Sequence, residues 1–197
     1  MSRILAFLFS VGITTAKQPN VILIVTDDQS PVAGCYGNPV IKTPNLDALA
    51  KAGVRFTDGH TSSGVCTPTR YSLLTGRYHW RTKLQSGVLG GFSTPLIAKD
   101  RLTLAGLLKQ QGYATGCFGK WHLGMSFPLK NGGIADDGGN FGKAFQDAAS
   151  VDYDRDIVDG PLEHGFDTYY GISASLDMPP FVWIKDRRVT EIPSATK

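Results

Sequence analysis

Apolar runs and amphipathic stretches alternate along the chain. Residues 20–26 form a continuous, β-branched apolar run that ends at the polar pair Asp27 and Asp28. Such a run is typical of a central parallel strand whose two faces are both covered. Shorter strands are predicted over residues 54–57 and 113–118. The first predicted strand therefore carries two carboxylates at its carboxyl end.

Three predicted helices separate these strands. Residues 44–52 combine an apolar stripe with Thr43 as N-cap, proline at the first helical position and a glycine stop. Residues 68–74 and residues 102–111 are the second and third helices. Alternating strands and helices predict an α/β fold with a mainly parallel central sheet flanked by helices. Ligands bind such sheets beyond the carboxyl ends of the strands.

The last third of the chain has a weaker pattern. Residues 126–165 are rich in Gly and Asp, which predicts either a long excursion of the chain with a functional role, such as a binding loop, or a partly disordered stretch. Residues 181–189 are predicted to form a hairpin, because apolar residues flank a short polar turn.

Composition and charge narrow the function classes. A chain of 197 residues is predicted to be one domain, or one domain and part of a second. Its 20 Lys and Arg against 17 Asp and Glu leave a net charge of +3, which argues against a nucleic-acid partner. Three Cys are too few for a disulfide scaffold, and they lie too far apart in the sequence for a zinc cluster. Their number still allows one disulfide.

The first 16 residues have the layout of a secretory signal peptide. A basic start at Arg3 precedes a short apolar run, and small residues follow. The run is too short to span a bilayer, so no stable membrane anchor is expected, although an uncleaved anchor or a buried strand stays open. Residues 17–197 are the predicted mature chain, in the periplasm or secreted.

The sharpest local motif is Cys66-Thr-Pro-Thr-Arg70. It resembles the modification motif of the type I sulfatases, in which the cysteine is oxidised to Cα-formylglycine. Other blocks resemble that family in the same order: residues 20–29, 43–50, 73–77, 118–124 and 165–171. The resemblance covers about residues 18–189 and implies an alkaline-phosphatase-like fold that is incomplete at the C-terminus, residues 17–197 being the N-terminal portion of the catalytic domain.

The resemblance implies a nucleophile at Cys66, made by a formylglycine-generating enzyme. In the hydrated aldehyde, one hydroxyl attacks sulfur and the other later loses its proton, so that sulfate leaves. The position of Cys66 in the sequence supports this role. Cys66 precedes the predicted helix at Pro68, and the positive end of a helix suits a tetrahedral anion. Arg70, one turn further on, can offer a planar fork of donors.

Asp27 and Asp28 are candidate metal ligands. On the residues alone they also suit a turn or a cap, but adjacent carboxylates supply hard oxygens for Ca²⁺ or Mg²⁺. The resemblance favours metal ligation, with formylglycine at position 66 as a further ligand. The metal would polarise the sulfate oxygen and lower the pKa of the attacking hydroxyl.

Lys120 and His122 follow a predicted strand at positions i and i+2, so in extended backbone their side chains point the same way. Alone they also suit a surface pair. The resemblance makes Lys120 a ligand of the sulfate and of the formylglycine hydroxyl, and makes His122 the base that triggers sulfate release. His164 is a further candidate for binding substrate.

The expected function is hydrolysis of a sulfate ester, in a sulfated carbohydrate or an aryl sulfate. A phosphonate or phosphate ester hydrolase of the same superfamily is the alternative enzyme. The resemblance also implies further metal ligands and a second Lys and His from a later part of the fold. No matching motif follows His122 in this sequence, so a catalytically incomplete sulfatase fragment stays open as well.

Overall fold

The computed structural model describes residues 18–139 and 141–193. Contacts divide the chain into two units, residues 1–55 and residues 56–197. The predicted signal peptide, residues 1–16, lies outside the described residues. No helix within the described ranges is both long and apolar enough to cross a membrane.

The first unit contains a short 3-10 helix, Gly34–Tyr36, and helix α1, Pro44–Ala52. The helix confirms the predicted span, but the Thr43 side chain does not cap it. The Thr43 hydroxyl instead accepts a hydrogen bond from the Gly34 amide at 2.8 Å and donates to Asp47 Oδ1 at 3.0 Å. It thereby ties the 3-10 helix to α1, and α1 buries none of its residues.

Residues 20–26 do not form the predicted strand. These residues pair with none of the strands that the structure describes. Ile22 is 83% exposed and Ile24 is 79% exposed. The prediction for residues 54–57 is wrong in the same way, with Val54 81% exposed. A β-branched apolar run becomes a strand only when a neighbour supplies hydrogen bonds, and none of the described residues does so here.

The described residues of the second unit form the α-helices α2 (Cys66–Thr75), α3 (Leu104–Gln110) and α4 (Phe141–Ser150). Helix α2 begins two residues before the predicted start and is followed by Gly76, whose φ of 65° is the left-handed conformation of a helix stop. Helix α3 is capped by Thr103, whose hydroxyl accepts the Gly106 amide at 3.0 Å.

A four-stranded sheet organises this unit. Its strands are β1 (Gly116–Lys120), β2 (Thr168–Ile172), β3 (Ile184–Lys185) and β4 (Arg188–Val189), side by side in that order. Strands β1 and β2 are parallel, and β3 and β4 form the predicted hairpin antiparallel to β2. The predicted α/β class is confirmed, with a parallel pair at the part of the sheet that leads to the candidate site.

Strands β1 and β2 approach each other closely at Gly171. A Cβ at this position would lie 1.8 Å from the Gly119 carbonyl oxygen, so only glycine fits. The buried Tyr169 hydroxyl lies 3.1 Å from that oxygen and 2.8 Å from the Ile172 carbonyl oxygen. Burial raises the pKa of Tyr169, so its phenol remains a hydrogen-bond donor.

The Gly- and Asp-rich stretch, residues 126–165, contributes to the core. Its Phe127 packs edge to face on Phe92, with ring centroids 5.1 Å apart. The buried Asp137 accepts hydrogen bonds from the Phe92 amide at 2.9 Å and the Ser93 hydroxyl at 2.5 Å. Buried apolar and carboxylate groups thus anchor its described residues, which contradicts the partly disordered alternative, and a functional role for this stretch stays a prediction.

Candidate active site

Cys66 is the first residue of α2. The backbone of Val65 is still extended, so the thiol is placed at the end of the helix where the amide groups lack partners within the helix. Thr67, Pro68 and Tyr71 are buried, which anchors the first turn. The Cys66 side chain is half-buried. Cys66 is thus fixed by its neighbours and remains partly accessible.

Two contacts join this turn to the carboxyl end of β1. Lys120 Nζ lies 3.1 Å from Cys66 Sγ. Arg70 Nη1 donates a hydrogen bond to the Lys120 carbonyl oxygen at 2.5 Å. The structure therefore brings together three of the predicted catalytic residues. An ammonium beside the thiol and a guanidinium one turn away create a positive environment suited to an anion.

Cys117 differs from Cys66 in its surroundings. Burial raises the pKa of the Cys117 thiol to about 11, although the nearby Arg70 acts in the opposite direction. A thiol with this pKa is protonated at neutral pH and chemically inert. Cys35, Cys66 and Cys117 are all free thiols, so the disulfide that the cysteine count left open is not formed.

His122 lies two residues beyond β1 and is only 1% exposed. Its φ of 55° is left-handed, so the expectation of extended backbone from Lys120 to His122 is wrong. His122 Nε2 lies 2.7 Å from the Leu89 carbonyl oxygen. Because a carbonyl can only accept, this contact assigns the proton to Nε2.

Leu89 connects His122 to the nucleophile turn. The Leu89 amide donates to the Thr67 hydroxyl at 3.2 Å, directly beside Cys66. Its carbonyl oxygen is the partner of His122. One backbone unit thus fixes both sides of the site, although its own side chain carries no chemistry.

The structure places His164 in the core. Its side chain is buried, and its ring stacks on Trp121 with centroids 6.2 Å apart. Burial lowers the pKa of His164, against the attraction of Asp159 and Glu163. The His164 ring therefore packs against Trp121, and the role of His164 in binding substrate stays a prediction.

Asp27 and Asp28 belong to the first unit. Both are exposed in a bend after the unpaired apolar run, and Asp28 has a φ of 52°. Their hard carboxylate oxygens fit Ca²⁺ or Mg²⁺ in kind. No group of three or more metal-binding side chains occurs among the residues that the structure describes. The pair therefore fits the metal chemically but supplies too few ligands by itself.

Sequence reasoning missed three residues that hold the site together. Thr67 and Trp121 lie inside the motifs that carried the resemblance, so their positions were visible but their contacts were not. Leu89 acts through its backbone alone, and no side-chain pattern could have indicated it.

Comparisons with known proteins add the wider context. A family model described as "Sulfatase" matches residues 19–182. The chain is similar to a steryl-sulfatase of Homo sapiens, 38% identical over 176 residues, which is 86% of this chain and 26% of that protein. It is also similar to an N-acetylgalactosamine-6-O-sulfatase of Bacteroides thetaiotaomicron, 35% identical over 88% of this chain and 30% of that protein.

A solved structure is similar in fold as well as in sequence. It is described under metabolism of multiple glycosaminoglycans by Bacteroides thetaiotaomicron, and it matches with a TM-score of 0.64 and 35% identity. The match covers 80% of this chain and 28% of that chain. The present chain therefore spans between a quarter and a third of the length of these proteins.

Proposed function

Because this chain belongs to the sulfatase family, we propose that it carries the nucleophile-bearing part of a sulfuric ester hydrolase. The observation that carries the proposal is the 3.1 Å contact between Lys120 Nζ and Cys66 Sγ, at the carboxyl end of a parallel strand. This is the edge where α/β sheets bind ligands. The motif cysteine and a cation suited to sulfate therefore meet where substrate is expected.

The proposed nucleophile is Cα-formylglycine at position 66, formed by a formylglycine-generating enzyme. When present, this group supplies a hydrated aldehyde whose hydroxyl attacks sulfur. The chain's own contribution is electrostatic. Lys120 attracts the sulfate oxygens, and the N-terminal end of α2 adds the partial positive charge of its amide groups.

Arg70 is proposed to act at the same place in two ways. Its Nη1 holds the Lys120 carbonyl oxygen, which fixes the end of β1 against α2. Its guanidinium also suits a sulfate oxygen or the diol, since it is a planar fork that carries five N–H groups. Arg70 thus positions Lys120 and contributes charge.

His122 is proposed to be the base that allows sulfate to leave. With the proton on Nε2 held towards the Leu89 carbonyl, Nδ1 is the nitrogen that can accept a proton. A neutral imidazole is suited to proton transfer near neutral pH. The buried position fixes the orientation of the ring, which a proton acceptor needs.

Asp27 and Asp28 are the proposed metal ligands in this chain. A bound Ca²⁺ or Mg²⁺ would polarise the sulfate oxygen. The apolar character of residues 4–13 supports export, so the proposed location is the periplasm or the outside of the cell.

A sulfated sugar is the proposed substrate class. Tyr170 and Trp183 stack with ring centroids 5.4 Å apart and stay about half exposed, as does Phe181. Exposed aromatic faces of this kind suit the apolar faces of sugars. The similar N-acetylgalactosamine-6-O-sulfatase is named for a sugar sulfate.

The modification gives the most direct test. The protein that contains this chain is purified from a host with the modifying enzyme, and its peptides are weighed by mass spectrometry. Conversion of the Cys66 side chain from CH₂SH to an aldehyde lowers the mass of that peptide, whereas the Cys35 peptide keeps its thiol mass. An unmodified Cys66 in active protein would falsify the proposed mechanism.

Hydrolysis gives the second test. The same protein is assayed with 4-nitrophenyl sulfate, 4-nitrophenyl phosphate and a panel of sulfated glycans. Sulfate should be released in preference to phosphate, and Cys66→Ala should abolish the activity while Cys35→Ala preserves it. Equal loss in the two cysteine variants, or preference for the phosphate ester, would contradict the assignment.

A further inference from the structure

Two aromatic rings hold the indole of Trp121. The His164 ring is stacked with it nearly in parallel, with centroids 6.2 Å apart and an angle of 17° between the planes. Phe166 meets the same indole edge to face, at 6.2 Å and 88°. Trp121 is 2% exposed and sits between Lys120 and His122. The candidate site is therefore built on a side chain that packs against His164 and Phe166.

The indole in turn fixes the segment that carries Lys120 and His122. Trp121 Nε1 donates to the Gly124 carbonyl oxygen at 2.9 Å, which closes the turn after β1. The Trp121 amide donates to the Ile172 carbonyl oxygen at 3.0 Å and so continues the ladder with β2. A displaced indole would loosen both bonds.

The His164 imidazole has unusual surroundings for a buried polar ring. Among the described residues, neither of its ring nitrogens has a hydrogen-bond partner. Asp159 Oδ1 is 3.7 Å from Nε2, too far for a hydrogen bond. The backbone of His164 is nevertheless fixed, because its carbonyl oxygen accepts the Thr103 hydroxyl at 2.6 Å.

We propose that His164 is a positioning residue of the candidate site, whose neutral ring holds Trp121 and thereby residues 120–124, and whose protonation releases that hold. The inference rests on the proposed function only in giving Lys120 and His122 a catalytic role. A buried imidazolium needs a charged partner, and Asp159 is the acid that faces it. A shift of the ring on the indole would close the 3.7 Å to a hydrogen-bond distance.

The charged groups around His164 support a neutral ring at neutral pH. Asp159 Oδ2 lies 3.8 Å from Lys99 Nζ, so part of its charge is already compensated. Glu163, the preceding residue, is paired with Arg187 at 2.6 Å. Burial lowers the pKa of His164 below its ordinary value of 6.5, even though Asp159 and Glu163 act against the shift. The release is therefore expected below pH 6.5.

Trp121 fluorescence tests this proposal without requiring turnover. The chain has three tryptophans, so Trp80→Phe and Trp183→Phe leave Trp121 as the only indole of residues 1–197. Its emission should fall as the pH drops from about 8 to about 5, with a midpoint below 6.5, because a neighbouring imidazolium quenches indole emission. His164→Phe keeps an aromatic ring on the indole, so its emission should stay independent of pH.

Hydrogen exchange gives a second, local readout. The amides of Trp121 and His122, which bond to the Ile172 and Ser173 carbonyl oxygens, should lose protection on acidification relative to His164→Phe. His79→Phe is the matched control, since His79 is also buried but its ring meets Trp80. His164→Gln replaces His164→Phe if that variant does not fold.

Two results would overturn the proposal. One is a pH-independent Trp121 emission in the protein that keeps His164. The other is an equal titration of that emission with His164→Phe or His164→Gln. Neither depends on whether sulfate is hydrolysed, so failure here is distinct from failure of the proposed function. Loss of the titration in the two His164 variants, and its retention in His79→Phe, would support the positioning role.

Discussion

Two regions of the molecule carry equally clear sequence motifs but have different structures. The turn around Cys66 and the end of β1 are tied by contacts of 3.1 Å and 2.5 Å, and their anchors are buried. Residues 20–28 carry a long apolar run and two adjacent carboxylates, yet Ile22 is 83% exposed and no strand forms there. The clarity of a motif therefore does not determine how firmly the structure holds it.

The difference follows from the hydrogen-bond partners that each region needs in order to form its secondary structure. Helix α2 makes its own hydrogen bonds and only has to bury one side of its first turn. Strand β1 finds its partner in β2, over five residues in parallel register. Residues 20–26 have the composition of a strand with two neighbours, and no described residue pairs with them. Backbone hydrogen bonds between strands are not encoded in one strand alone.

The largest expected effect is on stability. Trp121→Ala removes a buried indole that two rings and the Gly124 carbonyl hold, and it should cost about 3–5 kcal/mol of unfolding free energy. Leu49→Ala, in α1, should change it by about 0.5 kcal/mol or less, since Leu49 is 67% exposed. Urea titration followed by circular dichroism measures both. Similar costs would show that α1 is held as firmly as the segment around Trp121.

The next effect is on catalysis. Lys120→Met removes the ammonium beside Cys66 and should lower kcat/KM for 4-nitrophenyl sulfate by about 100- to 1,000-fold. Lys185→Met, in the exposed part of β3, should leave it within about twofold. The assay uses the protein that contains this chain. Unchanged turnover with Lys120→Met would separate the observed contact from the chemistry.

Metal binding probes the other region. Asp28→Asn should weaken Ca²⁺ binding about tenfold, because it replaces one of two adjacent carboxylates with a weaker ligand. Asp58→Asn is the control, since that carboxylate is exposed and pairs with His60 at 2.7 Å. Calorimetry with Ca²⁺ alone reports the affinities. Equal affinities in the two variants would exclude Asp28 as a ligand.

Solubility distinguishes exposed apolar surface from core. Ile22→Ser with Ile24→Ser should raise the soluble yield of the 197-residue chain, because both side chains are largely exposed and apolar surface promotes association. The unfolding midpoint should stay unchanged. A drop in that midpoint would reveal that these residues are packed in solution.

How far the sequence predicts this molecule depends on whether a feature is local. Helix α1 and the hairpin β3–β4 were predicted because the periodicity, proline and glycine signals of the helix and the turn signal of the hairpin are local. The Cys66–Arg70 turn was predicted from its motif, but its contact with Lys120 spans 54 positions and needed the fold. His122 was placed in extended backbone, and its left-handed φ depends on neighbours from other elements. Long-range contacts decide what local patterns leave open.

The smallest expected effect concerns an exposed carboxylate between α3 and the sheet. Asp167 Oδ1 pairs with Lys109 at 2.6 Å, and Oδ2 accepts the Thr115 amide at 2.8 Å. The Lys109 bond, followed by the Thr115 bonds, lowers the pKa of Asp167 from 3.8 to about 2. A carboxyl whose pKa is lowered by folding stabilises the fold above its unfolded value. That contribution is lost as the pH falls from 3.8 towards 2.

Asp167→Asn should therefore flatten the pH dependence of stability between about pH 4 and pH 2, since one carboxyl no longer takes up a proton on unfolding. Asp177→Asn, in an exposed loop, is the matched control and should leave the slope unchanged. Urea midpoints at several pH values measure the slope, and added salt should reduce it because the Lys109 pair is about half exposed. An identical slope in the two variants would mean that Lys109 and Thr115 contact this carboxylate without stabilising the second unit.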